Sequence, residues 1–326
     1  MPRRLTSLSH TDLIQFIHDN QLGSVDSREW RGEWQNRWVV FADLIAFAAR
    51  AKRSKSVVLN NIIRFDRASS LTKTAFPNVR IHRFSDSTFG ISDSFGEALG
   101  FGIGLQHSCL AMNTEYLQRA SKKYFIHLIV PRITIAQGQV LVLPDSSTNE
   151  TKFNGIDPAS VIAGEGIVNA YYLEKFSAGG LITFQSKDTA ALSSLRVRGG
   201  TQNVNTGVEK WIKRQQVNPQ PSTGNLLRRG DVIDFPWLLM RPMKTSKDEL
   251  WCAEKQEIKR SLSSFFEVWK TSDYEFYSSN HSADPLDVSK HCAAAIRQGI
   301  QSAQILCGNI GPNYATIDDI AKHLHL

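Results

Sequence analysis

Between Arg37 and Arg50 the chain reads Arg-Trp-Val-Val-Phe-Ala-Asp-Leu-Ile-Ala-Phe-Ala-Ala-Arg, an apolar run broken once, by Asp43. Strand formers through Phe41 followed by helix formers from Leu44 predict a buried strand that turns directly into a helix. A carboxylate at such a junction faces unpaired helix N–H groups, which suit phosphate, and can hold a hard cation that phosphate also binds. The plainer reading of Asp43 is a helix N-cap.

A chain of 326 residues, 41% of them hydrophobic, can bury one large core or two modest ones, which favours two units or one decorated domain. No run of eighteen apolar residues occurs, and the start, Met-Pro-Arg-Arg-Leu-Thr-Ser, leads into polar residues, so a cytoplasmic chain with no membrane partner is expected. Cys109, Cys252, Cys292 and Cys307 show no C-x-x-C pairing, which argues against a zinc site or a disulfide framework. The net charge of +7 is spread along the chain, and its densest basic cluster, Arg50 to Lys55, is short and not interleaved with aromatics. That pattern fits a polyanionic small ligand at least as well as nucleic acid, and no stable nucleic-acid partner is expected.

Along the chain, Thr11 to Asn20 has helical spacing, with Thr11 or Asp12 as cap. Leu44 to Asn61 continues from Asp43 as helix. Val79 to Phe84 and Thr88 to Ile91 predict a hairpin with Asp86 at its turn, a second acidic residue at a strand end. A long helix is predicted from Ser94 to Ser121, its glycines allowing close packing. Tyr124 to Ile129 and Arg132 to Leu143 read as strands, with Gly138 marking a turn or bulge. Residues 144 to 158 read as a polar loop, Ala159 to Ala178 as a helix carrying Asn169, and Leu181 to Gln185 as a strand. Residues 188 to 229, rich in Gly, Asn, Gln and Ser, suggest a long excursion. Asp231 to Met240 reads as the last strand, with helices over Lys247 to Lys270 and Asp287 to Gln304, and a further helical stretch at Ile317 to Leu326.

This is an α+β order of elements, and several of its segments resemble one family. Phe41-Ala42-Asp43-Leu44-Ile45-Ala46-Phe47 resembles the first metal motif of class III nucleotidyl cyclases, and Arg83-Phe84-Ser85-Asp86-Ser87 resembles their second metal hairpin. Arg132 to Val140 is similar to the next strand, Gly164-Glu165-Gly166-Ile167-Val168-Asn169-Ala170 to the Gly-x-x-Val-Asn-x-Ala helix, and Gly180-Leu181-Ile182 to the strand after it. The likeness spans roughly residues 36 to 240. It implies a ferredoxin-like βαββαβ core sheet flanked by helices, with residues 1–35 as a helical arm, 36–243 as the catalytic domain and 244–326 as a helical C-terminal extension.

The resemblance further implies two Mg²⁺ or Mn²⁺ ions per active site, held by Asp43, Asp86 and the carbonyl of Leu44, and cyclisation of a nucleoside triphosphate with release of pyrophosphate. The amides of Ile45, Ala46 and Phe47, beside Phe41, would cradle the β- and γ-phosphates. Asn169 would orient the ribose from a second copy of the chain, which implies a homodimer with sites at the interface. The plainer reading of Asn169 is a helical Asn bonded to backbone or water.

Two departures stand out. Four residues after Asn169, where the family carries an Arg, this chain has Leu173, so Lys175, Lys187 or a basic residue from another element must meet the charge at the α-phosphate, or the rate is low. The positions that read purines fall near His82 and Ile162, and the adenine-reading pair is missing. With Ala170-Tyr171-Tyr172-Leu173-Glu174 and a single catalytic domain, this resembles the pyrimidine cyclases of Pycsar anti-phage systems. That branch implies UTP, or else CTP, as substrate and a separate effector protein that responds to the cyclic nucleotide. The competing expectation is a catalytically degenerate cyclase-homology module that binds nucleotide or dimerises.

Overall fold

A computed structural model of the chain describes residues 9–19, 33–123, 125–142, 162–217, 232–278 and 285–307. Its contacts divide it into two units, residues 1–34 with 141–161, and residues 35–140 with 162–326. In the first unit the described residues include α1 (His10–Asp19). Its start is closed reciprocally: the Asp12 N–H donates to Ser9 Oγ at 3.2 Å and the Ser9 N–H to Asp12 Oδ2 at 3.1 Å. The cap is therefore Ser9, with Asp12 as its partner.

In the second unit the run around Asp43 forms one long strand, β1 (Glu33–Leu44), buried from Trp38 to Ala42. Alternate residues serve opposite layers, as a strand's period of two requires. Val40, Ala42 and Leu44 join a large core with Phe65, Phe101 and Phe184, whereas Val39 and Phe41 join a smaller one with Ile91, Ala170 and Leu173. The strand runs past Asp43 instead of ending at Phe41, and the helical region splits at Ser54 into α2 (Phe47–Arg53) and α3 (Lys55–Ala75). Ala46, at φ 56, makes the turn between strand and α2, so Asp43 is a strand residue and not an N-cap.

The hairpin is β2 (Arg80–Phe84) and β3 (Ser87–Ser92). It is followed by α4 (Phe95–Arg119), capped by Ser94, whose Oγ accepts from the Glu97 N–H at 3.2 Å while its own N–H donates to Ser92 Oγ at 3.2 Å. A Cβ on Gly100 would lie 2.6 Å from the Phe76 ring, so α4 lies against α3 at a distance only glycine permits. β4 (Pro131–Val142) continues unbroken through Gly138. Gly138 is no turn; a Cβ there would stand 2.6 Å from the Gly166 nitrogen, and its bare backbone lets α5 (Glu165–Leu173) sit on the strand. β5 (Ile182–Gln185) pairs parallel with β4.

The main sheet runs β2-β3-β1-β4-β5-β7, with β7 (Val232–Asp234) antiparallel to β5. Its first four strands, ordered β2-β3-β1-β4, are those of the ferredoxin-like βαββαβ arrangement, with helices on the sheet faces. The architecture is α+β, as the element order suggests.

Elsewhere the structure corrects the sequence. Residues 125–127 form a 3-10 turn and not a strand, their neighbours held by side chains: Asn61 Nδ2 donates to the Ile126 carbonyl at 2.8 Å and Asn113 Nδ2 to that of Ile129 at 2.9 Å. The excursion at 188–229 contains α6 (Thr189–Ser193), β6 (Arg196–Gly199) and α7 (Gln202–Val217). Val204, Val208, Trp211 and Ile212 on α7 are buried at helical spacing, a period that its polar composition conceals. Strand β7 gives way to a 3-10 turn at Trp237–Leu239. The stretch from 247 opens with β8 (Glu249–Cys252), parallel to β6, before α8 (Lys255–Ser278) and α9 (Pro285–Leu306). The predicted loop at 144–158 and helical stretch at 317–326 lie outside the described residues.

Candidate active site

The site forms where β3, β1 and β4 lie side by side. Asp43 faces Ser87 across the β1–β3 pair, and Ser87 Oγ donates to Asp43 Oδ1 at 2.8 Å. Asp86 occupies the two-residue turn before Ser87, where Ser85 adopts φ 54, a left-handed conformation uncommon outside glycine. The Leu44 N–H donates to the Asp86 carbonyl at 3.2 Å, so the turn is fastened to the end of β1. The two acidic residues, 43 positions apart in the chain, therefore meet. Burial pushes the Asp86 carboxyl above the usual carboxylate range, and the neighbouring charge of Asp43 raises it further.

A guanidinium completes the cluster. Arg132, second residue of β4, donates to Asp43 Oδ2 from Nη2 at 2.8 Å and from Nε at 3.2 Å, and the same Nη2 pairs with Glu174. Glu174 opens the 3-10 turn after α5. Thr134 Oγ1 donates to the Ala170 carbonyl at 2.6 Å, which ties α5 to β4 and brings Glu174 to Arg132. Burial raises the Glu174 carboxyl, Arg132 opposes that shift, and Asp43 and Asp86 add to it. Neither Arg132 nor Glu174 stands out in the sequence as a site residue. The available signal is a single charge at the head of the apolar run Pro-Arg-Ile-Thr-Ile, the same signature that marks Asp43.

The other anticipated residues fall in different places. The Ile45 N–H donates to the Val130 carbonyl at 3.1 Å and is not available to a phosphate. Ala46 and Phe47 begin the short α2 beside it. Phe41 is buried, with Phe89 at 4.7 Å and the edge of Tyr171 at 5.6 Å. His82 pairs with Phe89 across β2–β3, and Ile162 packs on the same small core, so both share the sheet face of Phe41. Asn169 Nδ2 donates at 3.4 Å to the Gln137 carbonyl and to Glu165 Oε1, bonds that involve neither Asp43 nor Asp86. Leu173 is completely buried in that small core, and an arginine could not replace it without leaving a charge buried among apolar side chains. Around it α5 exposes Val168, Tyr171 and Tyr172.

Among the described residues no group of three or more His, Cys, Asp or Glu is placed to hold a metal ion as it stands. The donor chemistry nevertheless suits a hard cation: two neighbouring carboxylates and the main-chain oxygens beside them are all-oxygen ligands. Two acids that repel one another's ionisation are stabilised by positive charge, which Arg132 supplies here.

Cyclases are among the solved structures that match this chain. A guanylyl cyclase matches at 17% identity and TM-score 0.40, covering 49% of this chain and 79% of its own. The adenylyl cyclase CyaB from P. aeruginosa matches at 14% identity and TM-score 0.38, covering 50% of this chain and 83% of its own. The guanylyl cyclase domain of the RhoGC fusion protein from the aquatic fungus Blastocladiella emersonii matches at 14% and 0.38, covering 51% and 90%. No protein-family model and no curated protein matches the sequence.

Proposed function

We propose that this chain is a nucleotidyl cyclase that converts a pyrimidine nucleoside triphosphate, UTP in preference to CTP, into the 3',5'-cyclic nucleotide and pyrophosphate. The observation that carries this reading is the meeting of Asp43 and Asp86 at adjoining strand ends, with a guanidinium bonded to the first. Asp43, Asp86 and the carbonyl of Leu44 would hold Mg²⁺ or Mn²⁺. Such ions, when bound, lower the pKa of an attacking hydroxyl and neutralise charge on phosphate oxygens.

The protein's own groups have distinct tasks. Arg132 supplies the charge-assisted donor that Leu173 cannot, and its planar fork suits phosphate oxygens. The small core around Phe41, Ala170 and Leu173 gives the floor of the site a dry backing, in which electrostatic contacts are stronger than in water. Tyr171, Tyr172 and Val168 on α5 form an apolar face suited to a second copy of the chain, which would bring Asn169 to the ribose of the facing site. His82 and Ile162, on the face of Phe41, offer no acid or lysine to read a purine, which supports a pyrimidine. The cyclic product would act on a separate effector protein in anti-phage defence. Among the described residues no helix is long and apolar enough to cross a membrane.

Purified protein with Mn²⁺ and each of UTP, CTP, ATP and GTP, analysed by mass, is expected to yield cyclic UMP, and Asp43→Ala to yield none. Product from ATP or GTP alone would remove the pyrimidine assignment, and no product from any of the four would remove the enzyme. The degenerate-module reading draws on the burial of Leu173 and is the outcome if nucleotide binds without turnover.

A further inference from the structure

We propose that Glu174 is a positioning residue: it shares Arg132 with Asp43 and thereby sets how readily the Asp43–Asp86 pair takes up a divalent cation. The inference rests on the cyclase reading of that pair and concerns a residue to which that reading gives no task. Both oxygens of the Asp43 carboxylate are engaged, Oδ1 by the Ser87 hydroxyl and Oδ2 by two nitrogens of Arg132. A cation arriving at Asp43 competes with the guanidinium for Oδ2. The only other carboxylate paired with Arg132 among the described residues is Glu174, and it uses the same Nη2 that holds Asp43.

Glu174 is built into that position and does not reach it by chance. It follows Leu173, which is anchored in the small core; its carbonyl accepts the Ser177 N–H at 3.1 Å; and its side chain is only 16% exposed. Two carboxylates share the single charge of Arg132, and Asp86 beside Asp43 adds a third acid to the cluster, so the cluster is acidic on balance and suits a cation. Glu174 gives Arg132 somewhere to go when Asp43 turns to a cation. Without it, Arg132 stays on Asp43 and the binding-competent fraction of the pair falls, which raises the apparent dissociation constant in proportion.

The test is Mn²⁺ binding to the nucleotide-free protein, followed by the electron paramagnetic resonance signal of the free ion, in four proteins of matched thermal midpoint: wild type, Glu174→Gln, Arg132→Gln and the double variant. Glu174→Gln is expected to weaken Mn²⁺ binding roughly three- to tenfold, Arg132→Gln to strengthen it, and Glu174→Gln to change it by less than about twofold once Arg132 is gone, since two residues acting through one contact are not additive. Unchanged binding in Glu174→Gln, or an equal loss in both backgrounds, overturns the proposal, the second outcome making Glu174 a direct electrostatic neighbour of the ion. If Glu174→Gln does not fold, Glu174→Asp gives the same comparison with the charge kept and the reach shortened. Failure of wild type to bind Mn²⁺ in an Asp43-dependent way identifies a different fault, in the cyclase reading itself.

Discussion

The Ser87 hydroxyl is bonded to the carboxylate of Asp43 across two paired strands, and the residue before Ser87 is the other acid of the site. The hairpin thus supplies one carboxylate and orients its partner. A hydrogen bond to a charged acceptor contributes about 1.5–3 kcal/mol when well made. Ser87→Ala is expected to lower turnover in the proposed cyclisation roughly three- to tenfold and to lower the thermal midpoint by a few degrees. Wild-type turnover in this variant would show that Asp43 is held by Arg132 alone.

The contact between Gly138 and Gly166 fixes where α5 sits, and with it Glu174. Gly138→Ala would drive a methyl into the helix backbone, a rigid obstacle. Overpacking of this kind costs about 1–3 kcal/mol. The expected result is a lower denaturation midpoint in urea together with loss of turnover. An unaltered midpoint would mean that α5 can move away without cost.

Two buried groups make opposing contributions to stability in mildly acid solution. Burial pushes the His107 imidazole down to about 4, against weaker support from the main-chain carbonyls of Met240 and Trp237. Between its unfolded value near 6.5 and about 4 the unfolded chain binds the extra proton, so this stability is present above that window and lost as pH falls through it. Burial pushes the Asp188 carboxyl up to about 6, with Lys187 and the Gln185 main chain working against the shift. Between about 3.8 and 6 the native state binds the extra proton, so Asp188 lowers stability as pH rises through its window. Asp188→Asn should raise stability at pH 7 by about 1–2 kcal/mol and steepen the loss below pH 6; His107→Gln should flatten it. Chemical denaturation at pH 4.5, 5.5 and 7 separates the two, and parallel curves for all three proteins would contradict both assignments.

Thiol chemistry gives a check on the core. Burial pushes the Cys252 thiol up to about 12 and that of Cys109 higher still. Site-resolved alkylation of the native protein at pH 8 is expected to spare both until the chain unfolds. Rapid modification of Cys109 would place α4 nearer to solvent than its packing allows.

Association can be tested separately from chemistry. Tyr172→Asp puts a charge on the exposed face of α5 and is expected to abolish a dimer seen by sedimentation velocity and turnover with it. A monomeric wild type with full activity would remove the second copy from the site.

The sequence exposes the site unevenly. Asp43 and Asp86 are legible because each interrupts an apolar or alternating run, and such an interruption costs stability unless it has a task. Arg132 and Glu174 come together only through the β1–β4 neighbour relation and the seating of α5, long-range contacts that local periodicity does not encode. The central strands are legible from their apolar runs, whereas their order in the sheet is only what the family resemblance implies. α7 is hidden because glycine, asparagine and glutamine outnumber its four apolar anchors, and tertiary burial of Trp211 and Val208 outweighs local preference. The extended reading of 124–129 fails for a related reason: side chains of α3 and α4 clamp that backbone, and no neighbouring strand is needed.

The parallel pairing of β6 with β8 joins residues 196–199 to residues 249–252, and α7 lies against α9. Anyone shortening this protein for crystallisation or fusion would meet that fastening first. A chain cut after the sheet's last strand would strip β6 of its mate and uncover Val204, Val208 and Trp211. The excised polypeptide would therefore be prone to self-association, and the far carboxyl-terminal third is as much a condition for a well-behaved sample as the strands that bear the acids.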